Sequence, residues 1–352
     1  MSRRGLTLTL SAALVVVLGI LTSVLPVPYV VLVPGPVTDT LGTIGAKPVV
    51  SATGAQTYPT KGHLYLTTVG VVPGACDAHP TLWQALRAWW HKDEAVQPHQ
   101  ALCPPGDTAQ QVQQENEREM TQSQRDAITA ALLELGFKPT TQHVIVGDVT
   151  SGLPAEKVLK QGDAIDTIDG EKVTDIAKLH ALINAQPVGS TLSVGITRDG
   201  KQRTVKIRTV RSTDGSNRPL VGIQPDLVAT FPKVDVKIGL NPADVGGPSA
   251  GLAFTLGIID KLTPGSLTGG RTVAGTGTID AFGVVGPIGG IQQKVAGAVR
   301  AGATVFLAPA TECKDAASVA PKSLKVVKVD TLRTAVSALK AIAAGSTAFP
   351  HC

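Results

Sequence analysis

The apolar and polar positions of the chain change their pattern several times along its length. An uncharged apolar run extends from Leu6 to Leu25. Residues 115–135 carry apolar side chains at helical spacing, and Gly136 follows where helices commonly end. Short alternating stretches, such as His143–Val149 and Leu192–Ile196, are typical of strands. The mixture of helical and strand patterns predicts an α+β protein. A chain of 352 residues is longer than one hydrophobic core usually accommodates, so we expect several domains.

The N-terminal apolar run predicts a transmembrane anchor at residues 6–25. Twenty residues at a helical rise of about 1.5 Å span roughly the 30 Å of a bilayer's hydrocarbon. A cleaved signal peptide is the competing interpretation, but its apolar region is normally shorter, and residues 23–36 contain no small-x-small cleavage site. Arg3 and Arg4 precede the run, so the positive-inside rule places residues 1–5 in the cytoplasm. We therefore expect a single-pass protein of the cell membrane whose remaining domains are extracytoplasmic.

Composition and charge narrow the class of protein and the partners it can have. Hydrophobic residues make up 43% of the chain and charged residues 17%, which is typical of a folded protein. The net charge is +5 with no run of five like charges, so we expect no nucleic-acid partner. Four cysteines permit three pairings, and we expect the pairs closest in sequence, Cys76 with Cys103 and Cys313 with Cys352. No Cys-x-x-Cys motif or histidine cluster occurs, so we expect no metal and no cofactor.

Residues 26–133 are predicted to form a juxtamembrane region. Two strand-like segments, Tyr29–Val33 and Leu64–Val72, are separated by Gly and Pro turns. Residues 75–107 contain all three tryptophans and several prolines, and we interpret them as an inserted lobe. Two placements of these tryptophans stay open, at the level of lipid headgroups or in a small disulfide-closed core.

Residues 134–211 resemble a PDZ domain. The resemblance lies in Val149-Thr150-Ser151-Gly152-Leu153-Pro154-Ala155-Glu156, then in Leu159-Lys160-Gln161-Gly162-Asp163-Ala164-Ile165 and Ile168-Asp169-Gly170. It implies a β-rich module that binds peptides by strand addition and holds their carboxylate on backbone amides. Residues 134–137 are a candidate carboxylate loop, with a helix end capped by Gly136 as the alternative. His180 lies on the candidate groove helix.

A second motif contains a candidate nucleophile. Gly247-Pro248-Ser249-Ala250-Gly251 fits the G-x-S-x-G pattern, in which the serine is exposed at a sharp turn. Strand-like residues precede it and a strongly apolar segment follows, so Ser249 is either a nucleophile or the N-cap of a buried helix. A serine nucleophile needs a base, because its hydroxyl is protonated at neutral pH. His351, the only later histidine, would be the base of an esterase but lies next to the chain end in the sequence.

A desolvated lysine is the other candidate base, because burial lowers its pKa towards neutrality. Lys294 lies on a predicted helix, on the inward stripe of Ile291, Val295 and Ala298, whereas Gln292, Gln293 and Arg300 are predicted to face elsewhere. The alternative is a lysine whose long stem carries its charge out to solvent.

Residues 220–345 resemble the proteolytic domain of Lon proteases. The matching motifs are Gly247-Pro248-Ser249-Ala250-Gly251, Gly275-Thr276-Gly277-Thr278-Ile279 and Gly286-Pro287-Ile288-Gly289-Gly290-Ile291-Gln292-Gln293-Lys294. The resemblance implies that Ser249 is the nucleophile and Lys294 its general base, and that the protein forms a homo-oligomer, a hexamer in Lon domains. Asp280 stands where such domains place a lysine-orienting threonine, and a carboxylate near Lys294 would favour the ammonium form. Thr276 or Thr278 would then supply the hydroxyl.

The order of anchor, PDZ-like module and Lon-like domain, followed by a tail at residues 346–352, is similar to membrane-anchored PDZ-Lon proteases. No Gly-x-x-x-x-Gly-Lys-Ser/Thr motif occurs, so an ATPase module is not expected. The predicted function is an ATP-independent serine endopeptidase that cleaves extracytoplasmic protein or peptide substrates, selected or gated by the PDZ-like module. The alternative is a catalytically inactive, membrane-anchored PDZ scaffold.

Overall fold

The computed structural model describes residues 3–74, 76, 78–212 and 217–352. The predicted cytoplasmic tip at residues 1–5 and the start of the predicted lobe at residue 75 therefore lie partly outside the described residues. The helices are α1 Arg3–Val24, α2 Leu82–Trp90, α3 Ala109–Glu134, α4 Ile176–Asn184, α5 Gly251–Leu262, α6 Ile291–Arg300, α7 Cys313–Val319 and α8 Leu332–Ala343, with short 3₁₀ helices at His99–Ala101 and Pro154–Lys157.

Within these described ranges, the strands fall into two main sheets and four small pairs. In chain order they are β1 Tyr29–Asp39, β2 Thr43–Ile44, β3 Lys47–Pro48, β4 Val50–Thr53, β5 His63–Val72, β6 Ala95–Pro98, β7 Thr141–Val149, β8 Ala164–Ile168, β9 Glu171–Lys172, β10 Thr191–Arg198, β11 Lys201–Arg208, β12 Val210–Arg211, β13 Pro219–Leu220, β14 Ile223–Thr230, β15 Asp235–Ile238, β16 Thr272–Gly275, β17 Thr278–Ile279, β18 Val285–Gly286, β19 Val305–Pro309 and β20 Lys325–Val329. The α+β fold class predicted from the sequence is confirmed.

Helix α1 contains one stretch, Leu6–Val24, that is long and apolar enough to cross a membrane. At about 1.5 Å per residue it extends for roughly 28 Å, and none of it is buried inside the protein. A membrane anchor and a signal sequence both fit a helix of this length and composition.

The larger sheet has the strand order β20-β19-β16-β5-β1-β6. Strands β20, β19, β16 and β5 run parallel, and β1 and β6 are each antiparallel to their neighbour. Successive side chains of a strand face opposite sides of a sheet. Val273 therefore packs with α5 and α8 on one face, while Ala274 packs with α6 and α7 on the other. Residues 251–260 of α5 are all buried, which explains why nearly all of their side chains are apolar.

The predicted juxtamembrane region, residues 26–133, packs closely with the C-terminal part of the chain. Strand β5 pairs in parallel with β16, and β1 and β6 extend the same sheet, so half of the strands of the larger sheet come from this region. Helix α3 packs against α5 and shares its hydrophobic core. Residues 26–133 therefore share a sheet and a hydrophobic core with the elements of residues 220–345.

The smaller sheet has the order β11-β10-β8-β7-β14 and contacts helix α4. Its last strand, β14, lies beyond the predicted boundary of the PDZ-like domain at residue 211. Strand β14 pairs with β7 along eight residues from Ile223 to Thr230, and its Leu227 packs in the same core as Leu179 of α4. The segment that leads into the C-terminal domain thus also closes the PDZ-like sheet.

Both predicted disulfides are present, Cys76–Cys103 and Cys313–Cys352. The first links the two ends of the segment that contains α2 and β6. The second fastens the chain end to the start of α7.

Candidate active site

Ser249 lies in the turn that joins β15 to α5. Helix α5 begins at Gly251 with Ala250 as its N-cap residue, so Ser249 does not cap this helix. Ser249 is half-buried, and its hydroxyl makes no hydrogen bond to any other described residue. The side chain that the sequence marks as a candidate nucleophile is therefore not engaged in a structural role.

Helix α3 holds the turn from the side. Ser123 Oγ donates a hydrogen bond to the carbonyl oxygen of Pro248 at 2.9 Å, and the backbone N–H of Gly247 donates to the carbonyl of Asn116 at 3.0 Å. Gly247 has a φ of 85°, a backbone conformation that favours glycine. The contacts of these α3 residues could not be predicted, because nothing in a single sequence indicates which helix packs against a distant turn.

Lys294 lies on α6 with its ammonium nitrogen inside the protein. The residue is 3% exposed, and burial lowers the pKa of Lys294 to about 7 against a weaker opposing effect of Glu312. The predicted inward stripe of Ile291, Val295 and Ala298 is confirmed, since all three are buried. Gln293 is buried as well, contrary to the expectation that it faces elsewhere.

Thr276 connects the lysine to the serine turn. Lys294 Nζ donates to Thr276 Oγ1 at 3.0 Å, and this hydroxyl donates to the carbonyl oxygen of Ser249 at 3.1 Å. The same carbonyl accepts a second hydrogen bond from the N–H of Gly277 at 3.0 Å. Of the two threonines that the sequence left open, Thr276 contacts the lysine.

Ser249 and Lys294 line one open cavity of about 750 Å³. Strands β1 and β5 and helix α3 form much of its wall, so the region before the PDZ-like domain contributes directly to the site. Among its apolar side chains are Leu32, Val69, Val71, Leu102, Met120 and Ile288. Thr67 also lines the cavity, and its buried hydroxyl has no partner among the described residues. The volume and apolar lining are suitable for several side chains of an extended peptide.

Asp280 and His351, which the sequence suggested as a charge near Lys294 and as an alternative base, lie away from the hydrogen bonds that link Lys294, Thr276 and Ser249. Asp280 is exposed in a turn, where its carboxylate accepts the N–H groups of Phe282 and Val284. It is not among the charges that influence the pKa of Lys294. His351 packs against Phe349 with the two rings tilted and does not line the cavity, so the structure provides no contact that would make it the base for Ser249.

The backbone at the start of α5 has free donors. Within the described residues, the N–H groups of Ser249 and Ala250 donate no hydrogen bond, as is usual at the beginning of a helix. Such donors, together with the helix dipole, favour a negatively charged oxygen. Across the described part of the chain, no three His, Cys, Asp or Glu side chains are grouped so that they could hold a metal ion.

A second cavity, of about 340 Å³, lies between α4 and the β13–β14 segment. Leu179, His180 and Ile183 line it from the helix side, and residues 218–221 line it from the other. Strand β14 is an edge strand beside this groove, so it can accept a further strand. Gly222, with a φ of 88°, forms a bend directly before the first residue of β14.

Residues 134–137, the candidate carboxylate loop, form a helix end instead. Gly136 N–H donates to Leu133 O and Phe137 N–H donates to Leu132 O, which is the pattern of a Schellman motif. Phe137 packs on the main core. The alternative interpretation, a helix capped by Gly136, therefore describes this segment.

Comparisons with known proteins give matches for the PDZ-like segment and for the C-terminal segment of the chain. A PDZ domain model matches residues 131–209, and a model of the Lon protease (S16) C-terminal proteolytic domain matches residues 208–342. The Lon protease of Methylocella silvestris is 40% identical over 99 residues, which are 27% of this chain and 11% of that protein. Lon protease 1 of Bacillus subtilis is 37% identical over 106 residues, 30% of this chain and 13% of that protein. The serine protease Do-like HtrA of Lactobacillus helveticus is 38% identical over 58 residues, 16% of this chain and 14% of that protein.

The two family matches define the class of this protein. The chain combines a PDZ domain with a Lon-type proteolytic domain, which is a serine-protease domain. The chain spans less than a sixth of the length of each of these three relatives.

Proposed function

We propose that this protein is an ATP-independent, membrane-anchored serine endopeptidase in which Ser249 is the nucleophile and Lys294 the general base. One observation carries the proposal. A hydroxyl without a structural hydrogen bond and a buried lysine, whose pKa burial lowers to about 7, line the same peptide-sized cavity. A base with a pKa near the working pH combines a useful neutral population with a driving force for proton transfer.

The reaction proceeds through an acyl-enzyme. Ser249 Oγ attacks the carbonyl carbon of the scissile peptide while its proton passes to the neutral amine of Lys294. The ammonium then gives this proton to the leaving nitrogen as the C–N bond breaks. Water then attacks the resulting ester on Ser249 while Lys294 accepts a proton from it. The ammonium returns this proton to Ser249 Oγ as the carboxylic acid product leaves.

Two groups support this chemistry without taking part in bond changes. Thr276 accepts a hydrogen bond from Lys294 and donates one to the carbonyl oxygen of Ser249. These two hydrogen bonds fix the amine of Lys294 relative to the serine turn. The free N–H groups of Ser249 and Ala250 stabilise the oxyanion of the tetrahedral intermediates.

The PDZ groove selects or gates substrates. A peptide that pairs with the edge of β14 would lie against His180 and Leu179 of α4. The bend at residues 220–223 places backbone amides at the end of this groove, where a terminal carboxylate binds in such modules. The ligand class is thus an extended C-terminal or hydrophobic segment of a protein.

The N-terminal helix and the cysteines support an extracytoplasmic location for the domains that follow this helix. Arg3 and Arg4 before the apolar stretch favour a cytoplasmic N-terminus, and two disulfides are typical of an oxidising compartment outside it. The absence of a phosphate-binding Gly-x-x-x-x-Gly-Lys-Ser/Thr motif supports independence from ATP. From the resemblance to Lon domains we further propose a homo-oligomer, with a hexamer as the form to be tested by mass photometry.

The test is cleavage of an unfolded protein by the full chain in detergent or membranes without nucleotide, followed by mass spectrometry of new peptides. We expect cleavage by the wild type, and loss of cleavage in Ser249→Ala and in Lys294→Met. Ser337→Ala and Lys340→Met, two exposed positions of α8, are the matched controls and should cleave normally. No cleavage by the wild type, also with added C-terminal peptides, would favour the inactive scaffold.

A further inference from the structure

All three tryptophans of the chain lie on one short helix. Trp83, Trp89 and Trp90 belong to α2, and they are 58%, 81% and 89% exposed. Leu86 of the same helix is also exposed, whereas Ala85 and Ala88 are buried against the protein. At about 100° per residue, Trp83, Leu86 and Trp90 fall within roughly 60° of each other around the helix. Helix α2 therefore presents an unpartnered aromatic stripe, which we call the tryptophan face.

The tryptophan face begins where the apolar N-terminal helix ends. The N–H of Leu82 donates to the carbonyl oxygen of Leu25 at 2.8 Å, and the N–H of Val27 donates to that of Pro80 at 3.0 Å. Pro26 and Thr81 form a bridge between the same two segments. Since α2 has nine residues, its far end lies within about 14 Å of this junction, whichever way it points.

The surroundings of this helix have the chemistry of a bilayer interface. Tryptophan and tyrosine are enriched at the headgroup level, because their rings are apolar with one polar atom. Exposed His91 and Lys92 follow Trp90 directly, and Tyr29, 42% exposed, lies just beyond the end of α1. Without a lipid surface beside them, exposed tryptophan rings would leave a large apolar area in water, which is unfavourable.

We propose that the tryptophan face of α2 docks on the lipid surface beside the membrane-spanning helix. This inference rests on the membrane anchorage proposed above and adds a second, peripheral contact to it. The contact also positions the active site. Asp93, just after α2, pairs with Arg300 of α6, the helix that carries Lys294, and Gln97 and Leu102 of the same lobe line the catalytic cavity. Docking therefore holds the cavity close to the bilayer and favours substrates whose cleaved segment lies near the membrane.

The tryptophans themselves provide the measurement. The full chain is reconstituted in phosphatidylcholine vesicles, with or without lipids brominated near the headgroup end of their acyl chains, and intrinsic tryptophan fluorescence is recorded. Variants that keep one tryptophan, with the other two changed to Phe, assign the signal to each position. Vesicle flotation measures anchorage separately, and circular dichroism confirms that each variant is folded.

We expect blue-shifted emission in vesicles and a loss of about half of the Trp83 and Trp90 emission with brominated lipid, as for rings at the interface. Emission typical of water, without quenching, in a protein that floats with vesicles would overturn the docking proposal and leave anchorage standing. A blue shift that depends on protein density and is not quenched would also overturn it, in favour of contact with a second copy. Failure to float would contradict anchorage itself, and the docking proposal with it.

Discussion

Lys294 Nζ lies 3.0 Å from Thr276 Oγ1, and the same hydroxyl donates to the carbonyl oxygen of Ser249 at 3.1 Å. One side chain thus links the proposed base to the turn of the proposed nucleophile. The arrangement needs a hydroxyl group and not a particular side-chain shape.

Thr276→Val keeps the shape and removes the hydroxyl. We expect kcat to fall by roughly 10- to 100-fold, because a small misplacement of reacting groups has effects of this size. Thr276→Ser should restore most of the activity. Steady-state kinetics on a peptide substrate measures the change, and a Val variant with unaltered kcat would contradict this role of Thr276.

Burial of Lys294 has a consequence for stability. The folded-state pKa of about 7 lies below the ordinary 10.5, so between these values the unfolded state binds more protons and wild-type stability rises with pH. Below pH 7 the protein bears the full penalty of a buried charge. Lys294→Met should therefore raise the free energy of unfolding at pH 6 by roughly 4 kcal/mol, and by about half of that at pH 9.

Denaturant unfolding at the two pH values measures this difference. Lys340→Met, at an exposed site of α8, is the control and should show no such pH-dependent gain. If Lys294→Met were no more stable than the wild type at pH 6, the lysine would not be held in a desolvated environment.

Ser123 tests whether α3 positions the serine turn. Ser123→Ala removes the hydrogen bond to the Pro248 carbonyl without adding atoms. We expect kcat to fall about tenfold, with little change in KM and an unshifted pH profile, because the turn loses a fixed position and the base is untouched. Thr129→Ala, which removes another buried hydroxyl of α3, should leave kcat unchanged. Equal effects of both variants would indicate general destabilisation of the helix instead.

A pair of carboxyl groups joins the PDZ domain to the catalytic domain. Asp126 of α3 and Asp226 of β14 are neighbours, and Gln122 donates hydrogen bonds to both. Burial and the charge of Asp226 raise the pKa of Asp126 to about 8, and burial raises the pKa of Asp226 too. Arg125 opposes both shifts, and Asp280 adds to the second. A pKa of about 8 predicts that the Asp126 carboxyl group is protonated at neutral pH.

The sign of the resulting pH dependence follows from these raised pKa values. Between about pH 4 and 8 the folded state binds more protons than the unfolded state, so this pair makes stability fall as pH rises. Asp126→Asn should remove the decline and raise the free energy of unfolding at pH 8 by about 1 to 3 kcal/mol, with little effect near pH 4. Asp244→Asn, at an exposed aspartate, is the control for denaturant unfolding at both pH values. A gain as large at pH 4 as at pH 8 would contradict the raised pKa of Asp126.

Local patterns predicted several parts of this structure. The helical stripe placed Lys294 in the interior, because periodicity alone determines which face of a helix is apolar. The two cysteine pairs could also be predicted, because each disulfide joins cysteines that are near each other in the sequence. The Ser249 and Lys294 motifs indicated the two side chains that line one cavity.

Long-range pairing could not be predicted in the same way. Thr272 of β16 pairs with His63 of β5 across more than 200 residues of sequence, and no local pattern encodes such a partner. The PDZ-like sheet likewise takes β14 from the segment after residue 211, a pairing that no local pattern predicts. The roles of Ser123 and Asn116 depend on the packing of α3 against a turn more than 120 residues away.

The central claim is that Ser249 is a nucleophile activated by Lys294, and covalent labelling tests both roles at once. The full chain is treated with a fluorophosphonate, which forms a bond from phosphorus to a reactive serine oxygen and releases fluoride, and the labelled peptide is identified by mass spectrometry. The account predicts labelling of Ser249 at a rate that rises with pH through about 7, and loss of labelling in Lys294→Met although Ser249 is still present. Labelling of another serine, or labelling of Ser249 at the same rate in Lys294→Met, would contradict it.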